Sequence, residues 1–149
     1  MPNRKYNILL ADDDEDDRMF FKEALENLSL SASLNTVDNG VELMNFLENN
    51  TFNLPHVLFL DLNMPRKTGF ECLSEIKLNQ RLKQLPVIIY STSSNPEEME
   101  LLYNNGALHY IRKPADFTKL KSVIRKAISL SREHKIAQPL KEDFVIQPE

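Results

Sequence analysis

Residues 57–61 read Val-Leu-Phe-Leu-Asp, and the chain continues Leu62-Asn63-Met64-Pro65. An unbroken apolar run before a proline stop suits a short parallel strand buried on both faces, because a half-solvated strand alternates polar and apolar positions. Burying both faces of a strand takes a layer of helix on each side of the sheet. Asp61 then stands at the carboxyl end of the central strand, and ligands of open parallel sheets bind outside that edge. Taken alone, an aspartate after a strand is more simply a turn or helix cap. Its meaning depends on what the other strands bring to the same edge.

Tyr6–Ala11 reads as the first strand, and a helix from about Asp14 follows, with Phe20, Phe21, Ala24, Leu25 and Leu28 at helical spacing. Ser33–Val37 is a second strand, closed by the turn Asp38-Asn39-Gly40, and Val41, Leu43, Met44, Phe46 and Leu47 line a second helix. Gly69 leads into a third helix carrying Phe70, Leu73 and Ile76, and Val87–Tyr90 is the fourth strand. Asn95, Pro96 and Glu98 form a helix start, and that helix ends near Gly106 in a left-handed cap. Leu108–Arg112 makes the fifth strand, which stops at Lys113-Pro114, and a last helix runs from about Phe117 to Ser131. Strands alternating with helices across short turns predict an α/β fold: a doubly wound, five-stranded parallel sheet with five helices. With only three glycines in the chain, each is expected to mark a turn.

A length of 149 residues at 42% hydrophobic content allows one domain with a real core. We place that domain at residues 1–134, with a tail at 135–149 and no output domain. The tail holds a small apolar knot, Phe144-Val145-Ile146, which would bury itself on its own domain or on a second copy; disorder is the plain alternative. A net charge of −4 argues against a nucleic-acid footprint built on excess positive charge. The lone cysteine, Cys72, makes no internal disulfide and is expected to pack. With no leader or membrane-length apolar stretch, the expectation is a cytoplasmic protein without membrane contact.

Asp12 to Asp17 are six consecutive acids. Acids in a first helical turn gain roughly 0.3–1 kcal/mol each from the helix dipole. That accounts for Asp14, Glu15, Asp16 and Asp17, but not for Asp12 and Asp13 at the strand end. In this arrangement Asp12, Asp13, Asp61, Ser91 and Lys113 all end strands along one carboxyl edge. Three neighbouring carboxylates repel, and a divalent cation together with a lysine would compensate them. Oxygen-only ligands suit magnesium better than zinc. A carboxylate beside such a cation can attack a phosphoryl group to form an acyl phosphate.

The acidic pair Asp12-Asp13, Asp61 in DLNMP with Gly69 following, Ser91 with Thr92, Tyr110 and Lys113-Pro114 together resemble the receiver domain of response regulators. The resemblance covers roughly residues 6 to 132 and is nearest to the stand-alone receivers that pair with phytochrome-like kinases. It implies a flavodoxin-like sheet of strand order 2-1-3-4-5, and a signalling protein rather than an enzyme in the ordinary sense. It also implies that Asp61 accepts a phosphoryl group from a sensor histidine kinase, phytochrome-like, or from a phosphotransfer protein. Mg2+ would be held by the Asp13 and Asp61 carboxylates and the Asn63 carbonyl, with Asp12 acting through water. Lys113 would pair with the phosphate, the Lys113–Pro114 bond would be cis, and Ser91 and Tyr110 would form the switch. Self-association through the face of the fourth helix, fifth strand and fifth helix, with the tail, is a further implication. The chain departs from the family in Asp14, where many relatives have asparagine, in Ser91 for threonine, and in Thr92 for alanine.

Two other classes compete. A phosphatase resembling the haloacid dehalogenases also uses an aspartyl nucleophile, but it wants a second aspartate two residues on, where Asn63 cannot carry the proton. A scaffold receiver that has lost phosphorylation would lack an acid, the acceptor or the lysine, and all are present. His56, His109 and His134 are scattered and expected at the surface or at strand ends, and Arg66 and Lys67 form a solvated loop.

Overall fold

The computed structural model describes residues 5–133 and 138–148. Strands and helices alternate as β1 (Tyr6–Ala11), α1 (Glu15–Glu26), β2 (Ala32–Val37), α2 (Gly40–Asn49), β3 (Val57–Leu60), α3 (Gly69–Leu78), β4 (Val87–Ser91), α4 (Pro96–Asn104), β5 (His109–Arg112) and α5 (Phe117–Glu133). The strands form one parallel sheet in the order β2-β1-β3-β4-β5. This is the doubly wound arrangement expected. The boundary placed at 134/135 lies outside the described residues, as does His134.

Every residue of β3 is buried, as its unbroken apolar run requires. Alternate side chains feed two cores. Leu58 and Leu60 join Leu9, Val87 and Ile89 beneath α2 and α3, while Val57 and Phe59 join Ile8, Leu10, Ile88 and Tyr90 beneath α1 and α5. Phe21 from α1 meets Phe59 and Tyr90 edge-on, at centroid distances of 5.0 and 5.5 Å. Helix starts are set by side-chain caps: Asp14 for α1, Asn39 for α2, Thr68 with Glu71 in a capping box for α3, and Asn95 before Pro96 for α4. Each such cap contributes about 1 kcal/mol.

Only Gly106 behaves as a turn glycine, with a φ of +96° after α4. Gly69 opens α3 instead, and a Cβ there would stand 2.2 Å from the Asp61 backbone oxygen. Gly40 opens α2 in the same way, and a Cβ there would overlap the Lys67 backbone oxygen. These two glycines permit backbone contact, which is a different demand from a positive φ.

The described tail residues, 138–148, pack on their own domain. A short 3-10 turn at Lys141–Asp143 precedes Phe144 and Ile146, which are 3% and 4% exposed. Tyr110 of β5 donates its amide to Phe144 O at 3.0 Å and accepts from the Ile146 amide at 2.8 Å, extending the sheet by one parallel bridge. The Phe144 ring meets Tyr103 edge-on at 5.2 Å, and Lys141 pairs with Glu100 of α4 at 2.7 Å. Beside the tail, the Lys113–Pro114 bond is trans: no described peptide bond is cis. The cis expectation is therefore corrected. The Lys113 amide continues the ladder onto Ser91 O at 2.7 Å, and trans is the form intrinsically favoured before proline, by about 0.5–1 kcal/mol.

Because Phe144 is buried against two aromatic rings, Phe144→Ala should cost about 3 kcal/mol in urea denaturation. A loss under about 1 kcal/mol would mean that the tail is not anchored by this ring.

Candidate functional site

Three strand ends converge. Asp12 follows β1, with its amide on Val37 O at 3.1 Å, and Asp61 follows β3, with its amide on Ala11 O at 2.9 Å. The sheet ladder therefore carries both carboxylates to one edge. Asp13 stands beside Asp12, exposed where Asp12 is buried, and carboxylate oxygens of Asp12, Asp13 and Asp61 lie within 4.8 Å of one another. Among the described residues these form the acidic cluster that could hold a metal ion. The donors are all oxygen, the kind that hard divalent cations take. Burial also points that way: Asp12 Oδ2 is buried and has no aligned hydrogen-bond donor, although the Lys113 ammonium is 2.8 Å away.

Lys113 arrives from the end of β5. Its ammonium lies 2.8 Å from Asp12 Oδ2, 2.8 Å from Asp17 Oδ2 and 3.6 Å from Asp61 Oδ1, and 5.2 Å from the Tyr90 ring centre. Burial alone would make this lysine easier to deprotonate, but the neighbouring carboxylates of Asp12 and Asp17 hold the pKa above the usual lysine range. Asp61 shows the opposite pressure. Burial raises its carboxyl to about 6, against the pull of Lys113 and with the help of Asp12. Asp12 is raised too, chiefly by burial.

The loop after Asp61 is tight. The Leu62 amide donates to Asp61 Oδ1 at 2.9 Å, the Gly69 amide returns to Leu62 O at 2.9 Å, and Arg66 adopts a φ of +70° under a Lys67-to-Pro65 backbone bond of 2.7 Å. A non-glycine residue held there stores backbone strain beside Asp61. Asn63 is exposed on this loop, and Lys67, expected to be solvated, pairs with Glu75 of α3.

Ser91 ends β4, fully buried, and its Oγ accepts from the Ser93 amide at 3.1 Å. The Tyr110 hydroxyl donates to Ser93 O at 2.8 Å, and burial raises its pKa against the effect of hydrogen bonds with Ser91 and Ser93. The two expected switch residues are thus linked, with Tyr110 already buried. Thr92 is exposed. Cys72 is buried, and desolvation pushes its thiol up to about 12, which suits packing rather than reactivity. His56 accepts from the Asn7 amide and stacks on Tyr6, while His109 is buried with Nδ1 3.0 Å from Phe144 O.

Asp17 is the residue that dipole reasoning passed over. It is the third residue of α1, and its amide and that of Asp16 are held by the Asp14 cap. An acid at that helix position can reach back toward the chain before the helix, which is the signal that could have found it.

The raised Asp61 pKa carries a pH dependence. A carboxyl that titrates near 6 when folded, against about 3.9 unfolded, contributes stability below the unfolded value and loses it as pH rises through 6. In metal-free protein, Asp61→Asn should match wild type near pH 4 and exceed it by roughly 2–3 kcal/mol at pH 7, by denaturant titration with a chelator. A difference that stays flat across that interval would contradict the burial of a charged Asp61.

Residues 8–125 match the family model described as the response regulator receiver domain. Response regulator Rcp1 of Synechocystis is 31% identical over 122 residues, covering 79% of this chain and 83% of Rcp1. The crystal structure of the phosphorylated cyanobacterial phytochrome response regulator RcpA superposes with a TM-score of 0.79 at 30% identity, covering 91% of this chain and all of RcpA. The Mn2+-bound form of Rcp1 superposes at 0.75 and 28% identity, over 90% of this chain and 99% of that one. Among the described residues, no helix is long and apolar enough to cross a membrane. With the fold, the strand-end acids and the lysine in the arrangement described, this chain belongs to the response regulator receiver family.

Proposed function

We propose that the chain accepts a phosphoryl group on Asp61 from a histidine kinase, in the presence of Mg2+, and signals by a change in protein–protein association. The observation that carries this reading is the convergence of Asp12, Asp13 and Asp61 within 4.8 Å, with Lys113 against two of them. In the transfer, a carboxylate oxygen of Asp61 forms a bond to phosphorus as the donor's P–N bond breaks, and the departing imidazole keeps the electron pair and takes a proton. Asp13 and Asp61, with the Asn63 carbonyl, would hold Mg2+, and Asp12 would act through water. When bound, that ion neutralises charge on the transferring group. Lys113 supplies the fixed positive charge on the other side, already beside the acceptor. Similarity to Rcp1 and RcpA supports a phytochrome-like kinase as the donor.

The signal would leave through Ser91 and Tyr110 toward the face of α4, β5 and α5, where partner or self-association would change. Moving a two-state equilibrium from 1:99 to 99:1 takes about 5.5 kcal/mol. One charge-assisted hydrogen bond supplies roughly 1.5–3 kcal/mol, so Ser91 alone cannot carry the shift and Lys113 must contribute. The tail already lies on this face, and Leu101 of α4 and Leu140 beside it are 58% and 66% exposed.

Intact mass after incubation with a small phosphodonor and Mg2+ tests the acceptor. Wild type should gain one phosphoryl group, and Asp61→Asn and Asp13→Ala should gain none; an Asp61→Asn protein that gains it at the native rate sinks the assignment. For the route outward, Ser91→Ala and Tyr110→Ala should be phosphorylated nearly normally but lose most of the change in association seen by sedimentation. If both keep the full change, the signal leaves by the loops around Asp61 instead.

A further inference from the structure

We propose that Asp17 is a positioning residue for phosphoryl transfer, holding the Lys113 ammonium at the acceptor from the first turn of α1. The inference rests on Asp61 being the phosphoacceptor. An ammonium has three N–H groups and no acceptor. Two of its near neighbours, Asp12 and Asp17, stand at 2.8 Å, while Asp61 stands at 3.6 Å, beyond a good hydrogen bond. The gap to Asp61 is where an oxygen of an attached phosphoryl group would come. Lys113 therefore waits beside the acceptor and has no need to travel.

The two holding carboxylates differ. Asp12 belongs to the trio able to ligate a cation, and its Oδ2 lacks an aligned donor; Asp17 lies outside that trio and accepts a proper hydrogen bond from Lys113. The hold exerted by Asp17 is thus independent of how Asp12 is engaged. It is also built in by the backbone. The Asp14 cap accepts from the Asp16 and Asp17 amides at 2.9 and 3.1 Å, which fixes the start of α1 and with it the place of the Asp17 carboxylate. The side chain of Lys113 is 9% exposed, so the bond forms where water competes little, although Asp17 itself is 35% exposed. A lysine stem is flexible, and ordering it before the reaction removes that ordering from the barrier.

In the step itself, the Asp61 oxygen forms its bond to phosphorus while the bond from phosphorus to the donor's leaving atom breaks. Lys113 keeps all of its protons, and Asp17 neither gains nor loses one. Asp17 acts through Lys113 alone.

The test uses the full chain with Asp17→Ala, Asp17→Asn and, as a control, Asp16→Ala, which removes an exposed acid from the same helical turn. With saturating Mg2+ and a small phosphodonor, Asp17→Ala should lower the maximal phosphorylation rate about 10-fold, the scale of one charge-assisted hydrogen bond, with half-saturation by the donor unchanged. Asp17→Asn, which keeps an acceptor oxygen, should recover most of that loss, and Asp16→Ala should stay within about twofold of wild type. In metal-free protein, the Lys113 ammonium should give a slowly exchanging 1H–15N signal that persists in Asp17→Asn and disappears in Asp17→Ala. A native rate in Asp17→Ala, equal losses in Asp17→Ala and Asp16→Ala, or an ammonium signal unchanged in Asp17→Ala would overturn the proposal. Phosphate uptake by Asp61→Asn would instead defeat the acceptor assignment, while the ammonium signal would still report whether Asp17 holds Lys113.

Discussion

Lys113 places one positive charge 2.8 Å from Asp12 and Asp17 and 3.6 Å from Asp61, and the strand ends can converge in a desolvated edge only with that charge among them. Asp12 is fully buried and Asp61 6% exposed, so each pays a desolvation penalty that raises its pKa. One ammonium cannot neutralise three or four carboxylates. Under the proposed function, the residual negative charge is what would draw a cation to the edge and, through that cation, a phosphoryl group. The same shortage of positive charge makes the metal-free site a point of strain within a well-packed fold. Stability and function oppose one another there, as they commonly do at reactive sites.

Much of this was legible because buried parallel strands write themselves as apolar runs. Val57–Leu60 marks the central strand, and the residues just past each run, Asp12, Asp61, Ser91 and Lys113, thereby fall on one edge. What escaped was set by contacts across the sequence. Asp17 looked like one more first-turn acid, because its pairing with Lys113 spans 96 positions and leaves no local pattern. Gly40 and Gly69 looked like turn residues, because a missing Cβ reads the same whether it admits a positive φ or a neighbouring backbone oxygen. The trans geometry at Lys113–Pro114 likewise has no local signature.

The tail is the clearest case of a choice that pattern left open. Phe144-Val145-Ile146 announced only that something apolar would be covered, and the partner turned out to be β5 and α4 of the same chain. Its attachment point is Tyr110, whose amide and carbonyl both bond to the tail while its hydroxyl reaches Ser93, next to the strand end that carries Ser91. In the proposed route from the acidic edge to the α4–β5–α5 face, the signal would pass through one residue gripped at both ends. Any partner that takes this face meets the tail as well as the helices.

Lys113 is the charge that permits the carboxylates to gather. The most direct test of that role is the chemical stability of Lys113→Met in chelator at pH 7 and pH 5, beside wild type. Removing one partner from a buried charge cluster costs about 3–5 kcal/mol, so the variant should be destabilised by that much at pH 7 and regain a large part at pH 5, where Asp61 takes up a proton. A Lys113→Met protein as stable as wild type at pH 7 would show that the carboxylates do not depend on this lysine, and would contradict the account.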